Sequence, residues 1–96
     1  MIRRDGERLI VSGPVTLANV AQLVEEAKAQ VAGARTVDLG EVTDLDSSLL
    51  AVLIDWQREA KAQGRTLIYA RLPEDLRTLA QLYGVAELLP QDKAPS

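Results

Sequence analysis

Along the 96 residues of this chain, apolar positions alternate between short extended clusters and a helical spacing of three or four. The strand-like segment Met1 to Arg4 runs into Asp5-Gly6-Glu7, and Leu9-Ile10-Val11 follows before Gly13-Pro14. An aspartate–glycine pair between two such segments predicts a hairpin. The period changes at Leu17. Leu17, Val20, Val24, Ala27 and Val31 recur at helical spacing, with Thr16 as the expected N-cap and Gly33 as the stop. Thr36 to Leu39 is extended again, and Val42 to Leu45 continues it as strand or loop. A second helix is expected from Ser47 or Ser48 to Gln63, with Leu49, Leu50, Leu53, Trp56 and Ala60 facing inward. Thr66 to Ala70 reads as a strand. Pro73 then opens a third helix, in which Leu76, Leu79, Ala80 and Tyr83 share a face and Gly84 ends the run. Val85, Leu88 and Leu89 form a last apolar patch.

Strands alternating with helices in this order predict an α/β sheet covered by helices, joined by right-handed crossovers. If all the helices lie on one side, the other face must be wet, or covered by the tail or by a partner. Residues 1–90 are expected to form a single domain, and the polar stretch 91–96 a flexible tail.

Composition narrows the chemistry. There are no cysteines and no histidines, which removes disulfides, thiolate catalysis, cysteine–zinc sites and imidazole acid–base chemistry. No cofactor is expected. A net charge of −3 and only three aromatic residues, two tyrosines and one tryptophan, argue against nucleic acid as partner. The longest apolar run, Leu49 to Ile54, is six residues and too short to cross a bilayer. Met1-Ile2-Arg3-Arg4-Asp5 does not lead into a signal-peptide core, so the expected location is the cytoplasm.

The densest functional signal lies just before the second helix. Asp38, Glu41, Asp44 and Asp46 place four carboxylates within nine residues, followed by Ser47 and Ser48. Read as structure, Ser47 caps the helix, Asp38 and Glu41 are solvated turn residues, and Asp44 or Asp46 bonds local backbone. Read as function, Ser47 is a phosphorylation site, where a phosphate would meet the helix N-terminus and add about −1.5 to −2 charge to an acidic patch. A glycosidase pair lacks a cleft, and a magnesium–phosphate site lacks a glycine-rich loop. Ser47 and Lys61 lie fourteen residues apart on one helix, about 20 Å in rise, too far for a nucleophile pair. The protein is therefore not expected to be an enzyme. Arg58, Lys61, Arg65, Arg71 and Arg77 read as a solvated face.

The stretch Val37 to Ile54, VDLGEVTDLDSSLLAVLI, resembles the signature of the STAS domain family. That resemblance implies a small mixed β-sheet with helices packed mainly on one face, and a binding module rather than an enzyme. It places the family's aspartate on Asp46, its phosphorylatable position on Ser47 and the small residue that follows on Ser48. Leu49 stands where most members have glycine, which would crowd the helix start or supply an apolar anchor for a partner. Leu79-Ala80-Gln81-Leu82-Tyr83-Gly84-Val85, followed by Leu88-Leu89-Pro90, is similar to the ending of the small MlaB-like STAS subunit of the Mla phospholipid transporter.

The expected function is accordingly a regulatory subunit on the cytoplasmic ATPase of an ABC complex that maintains outer-membrane lipid asymmetry. It would sit at the inner membrane only through that ATPase and its permease. The expected partner-binding residues are Asp46, Ser47, Ser48, Leu49 and Asp55. A weak homodimer is allowed while the docking patch is bare. The alternative is an anti-sigma factor antagonist controlled by serine phosphorylation.

Overall fold

A computed structural model describes residues 2–91 of the chain. Its elements are β1 (Ile2–Asp5), β2 (Arg8–Val15), α1 (Val20–Val31), β3 (Thr36–Leu45), α2 (Ser47–Ala62), β4 (Ile68–Ala70) and α3 (Glu74–Leu82), followed by a 3-10 turn at Ala86–Leu88. The four strands form one mixed sheet in the order β1-β2-β3-β4, with β1 antiparallel to β2 and the remaining pairs parallel. The three helices pack on one face of it, as the STAS resemblance implies. Of the tail expected at 91–96, Gln91 makes an isolated bridge to Tyr69; the remainder lies outside the described residues, as does Met1.

The hairpin closes between Asp5 and Arg8 through Gly6-Glu7, with Gly6 at φ 62°. Glycine at the first of two loop positions suits the twist of the flanking strands. The second strand is longer than its sequence suggests and runs through Gly13-Pro14. Beyond Val11 it has lost β1, whose last partner there is Ile2. Proline is tolerated because the missing N–H falls on a side no strand occupies. Register shifts between Ile10 and Ser12 and between Gly13 and Pro14 absorb extra residues of β3.

The core lies between sheet and helices. Leu9, Val11, Val37, Leu39 and Tyr69 meet Leu23, Ala27, Leu49, Leu53 and Leu76, all fully buried. Trp56 is buried with them. Thr66 and Leu67 stay outside β4 because the Gln57 side chain takes both backbone groups of Leu67. Two expected inward residues are corrected. Leu17 is 78% exposed because Thr16–Asn19 forms a turn and α1 starts at Val20. Tyr83, also expected inside, is 58% exposed at the C-cap of α3, where its N–H donates to the Leu79 carbonyl at 3.0 Å.

Among the described residues no helix covers the other face of the sheet. One cross-strand row there is Arg3, Ile10, Asp38 and Ala70. Asp38, expected to be a solvated turn residue, is 2% exposed, beside buried Ile10 and Ala70. Its carboxylate accepts from Arg8 Nε, from Arg71 Nε and Nη2, and from the Gly40 N–H, each at 2.9 Å. Arg71 reaches it from the β4–α3 connection with φ 54°, passing over Gly40. Alongside, Arg3 grips Glu41 with both Nη atoms, at 3.1 and 2.7 Å. The aliphatic stems of these arginines cover the apolar residues between them. Ile10, Asp38 and Ala70 are thus buried on this face without a helix, beneath arginine head groups that stay in water.

Candidate functional site

The end of β3 delivers Leu45 and Asp46 to the start of α2. Asp46, in extended conformation, is the N-cap, a role the sequence assigned to Ser47. Asp46 Oδ1 accepts from the Ser48 N–H at 2.9 Å and from the Ser48 hydroxyl, while Oδ2 accepts from the Leu17 N–H at 2.9 Å. The Ser48 hydroxyl, then the two backbone N–H groups, hold the Asp46 carboxyl below its ordinary range. With the cap supplied by Asp46, the Ser47 side chain is released from structural duty. It is exposed at the first helical position and makes no hydrogen bond among the described residues.

Ser47 stands on the lip of a groove of about 400 Å³. One wall is Leu45, Asp46 and Ser47; the other is Asp75, Thr78, Leu79 and Tyr83 of α3. The lining holds two carboxylates and no basic side chain. It is acidic and apolar together, with an unengaged hydroxyl at its edge. That composition suits the docking of a protein surface with apolar and cationic groups.

The other expected site residues are placed differently. Ser48 is half-buried and spent on the cap. Leu49 is fully buried, so the expectation of a surface anchor there is corrected; its side chain fills the core beneath the helix start. Asp55 lies about 12 Å along α2 from Ser47 by helical rise. It lines a separate hollow with Val24, Lys28 and Val31 of α1 and pairs loosely with Arg58 at 3.8 Å. Leu17 and α3 joined the site unannounced: helical periodicity placed Leu17 and Tyr83 in the core. Among the described residues no group of three or more carboxylates is arranged to hold a metal ion. No helix there is long and apolar enough to cross a membrane.

A family model described as "Mlab, STAS domain" matches residues 1–90. No curated protein matches the sequence. The chain is similar in fold to the anti-sigma factor antagonist SpoIIAA in its unphosphorylated form, at 15% identity and TM-score 0.70, covering 98% of this chain and 88% of that one. It is likewise similar to the Bacillus cell fate determinant SpoIIAA in the phosphorylated form, at 15% identity and TM-score 0.66, covering 98% and 91%. A Thermotoga maritima protein described as "a putative anti-sigma factor antagonist (tm1081)" matches at 13% identity and TM-score 0.75, covering 98% and 86%.

These likenesses correct the narrower expectation of an MlaB-like subunit bound to an ABC ATPase and its permease in lipid transport. The family description names a domain type and no partner. The C-terminal pattern that suggested a transporter subunit is spent on packing where it is buried, at Ala80 and Leu89. An ending of that kind reports the fold, which antagonists of sigma-factor regulation share.

Proposed function

Because the chain belongs to the STAS domain family, we propose that it is a non-catalytic anti-sigma factor antagonist whose docking surface is the groove beside Ser47. The solved structures of similar fold support this reading, since two are SpoIIAA, in unphosphorylated and phosphorylated forms, and a third is described as "a putative anti-sigma factor antagonist". The observation that carries it in this chain is Ser47 itself, exposed, unbonded and at the rim of an acidic, apolar groove. Residues 1–90 act as one binding domain, and the cytoplasm, where sigma factors work, is its place.

The partner in this reading is an anti-sigma factor that is also a serine kinase. Ser47 Oγ attacks the γ-phosphorus of a nucleoside triphosphate held by that kinase. The new O–P bond forms as the bond to the nucleoside diphosphate breaks, and the hydroxyl proton passes to a base on the kinase. The product carries about −1.5 to −2 charge beside Asp46 and Asp75. A partner that docks through cationic groups would at first be attracted, but its apolar contacts would be separated by the bulk and hydration of the phosphate. Asp46 and Ser48 hold the site's geometry, and Leu45, Leu79 and Tyr83 supply the apolar contact.

The test uses purified kinase-type anti-sigma factors from the source organism. Wild type should bind one of them and take up radiolabel from γ-labelled ATP, while Ser47→Ala should bind but take up none. Ser47→Glu should weaken binding by about tenfold to a hundredfold. Equal binding of Ser47→Glu and wild type, with no labelling of either, would refute the reading.

A further inference from the structure

Leu17 has the highest exposure of the large apolar side chains described, at 78%, yet its backbone is firmly held. Its N–H donates to Asp46 Oδ2 at 2.9 Å. The turn carrying it is closed by Asn19, whose Oδ1 accepts from the Thr16 N–H and whose Nδ2 donates to the Pro14 carbonyl, both at 2.9 Å. The Thr16 carbonyl accepts in addition from the N–H groups of Asn19 and Val20, at 3.0 and 2.9 Å. A loop ordered only on docking would subtract its lost freedom from the affinity; this one is ordered beforehand.

We infer that Leu17 is the apolar anchor of the docking surface and that Asp46 is the latch holding it beside Ser47. The inference rests on the reading of the Ser47 groove given above. One oxygen of Asp46 serves Ser48 at the start of α2, and the other serves Leu17. A single carboxylate thus fixes the distance between the modifiable hydroxyl and the exposed leucine. The partner that fits is a protein surface with a pocket for a branched aliphatic side chain and cationic groups around it, since Asp46 and Asp75 flank the site without a basic neighbour in the groove. A phosphate on Ser47 competes for the Ser48 N–H and repels the Asp46 carboxylate. It therefore acts on the latch as well as on the partner.

Two measurements decide this. Asparagine is as good an N-cap as aspartate, so Asp46→Asn should fold, but with its oxygen on the Ser48 side the atom facing the Leu17 N–H becomes an NH2 donor that cannot accept. In the nitrogen-15-labelled chain, the Leu17 amide of Asp46→Asn should exchange with solvent at least about tenfold faster, with the amides of Leu50 and Leu53 unchanged. Unchanged Leu17 exchange overturns the latch. Leu17→Ala should bind the anti-sigma factor recognised by wild type about tenfold or more weakly, with its melting temperature unmoved. Leu88→Ala, in the exposed 3-10 turn that shares a hollow with Arg58 and Lys61 of α2, should bind as wild type does. If wild type binds and Leu17→Ala matches it within about twofold, the anchor is overturned while the docking reading stands. If wild type binds no anti-sigma factor, the docking reading fails and the anchor with it, and the exchange measurement still decides the latch.

Discussion

Gln57 performs a task usually left to a neighbouring strand. The Leu67 N–H donates to Gln57 Oε1 at 2.8 Å, and Gln57 Nε2 donates to the Leu67 carbonyl at 2.9 Å. Gln57 is 4% exposed and Leu67 fully buried, so no solvent replaces either bond. Gln57→Met keeps the length of the side chain and removes both partners. Each orphaned backbone group costs about 1–3 kcal/mol, and the more apolar methionine returns about 1 kcal/mol. The expected net loss is about 1–5 kcal/mol, or roughly 4–40 °C in Tm for a domain of this size. Urea unfolding followed by circular dichroism measures it, with the slope against denaturant unchanged. Gln57→Glu sharpens the test. Burial raises the pKa of the introduced carboxyl, and only its protonated form can donate to the Leu67 carbonyl. Its stability should therefore fall as pH rises through that value, while wild type is flat. A loss below about 1 kcal/mol in Gln57→Met would refute the account, because Leu67 would then have other partners.

The covered face of the sheet yields two further expectations. Burial pushes the Asp38 pKa up, but the hydrogen bonds from Arg71, Gly40 and Arg8 outweigh it and leave the pKa lowered. A lowered folded pKa contributes stability that is full above the unfolded value of about 3.9 and is lost as pH falls through the folded one. The stability gap between wild type and Asp38→Asn should be widest near neutrality and should shrink below about pH 4; a gap constant down to about pH 2 in urea titrations would contradict this. A Cβ at Gly40 would lie 2.5 Å from the Arg71 guanidinium, so Gly40→Ala should push Arg71 off Asp38. With the Arg71 side chain 58% exposed, the cost should be only about 0.5–1 kcal/mol. The double variant with Arg71→Ala should be no worse than either single change, and additive losses would break the link.

Sequence reading recovered the element order because it depends on period, which side-chain burial enforces over many residues. It failed where one tertiary contact overrides local pattern. Leu17 continues the three-four spacing of α1 backwards, and nothing in that spacing says that Asn19 and Thr16 will fold the segment into a turn. Tyr83 likewise continues the spacing of α3, one residue past its end, where the side chain is left exposed. The burial of Asp38 had a visible clue, since alternation with Val37 and Leu39 puts it on the outward strand face. What hid it was its cover, which comes from Arg8 and from Arg71, 33 residues away in the chain. Gln57 could have been noticed as a polar residue four after Leu53 on the inward stripe. The acidic run before α2 was visible in the sequence, but its continuation of β3 to Leu45 and the exchange of capping duty between Ser47 and Asp46 were not. Either residue type caps a helix well, and the extra bond from Leu17 goes to Asp46.

The arginine cover on the outer sheet face makes the domain one-sided. A bare face carrying Ile10, Ile68 and Ala70 would invite stacking by a second sheet, about 10 Å away. Guanidinium groups tied to Asp38 and Glu41 keep that plane hydrated and oblige an incoming sheet to strip charges before reaching anything apolar. Crowded copies of this chain should therefore resist face-to-face aggregation without the mass of another helix. The rim where β3 meets α2, whose groove is lined by no basic side chain, carries no such cover.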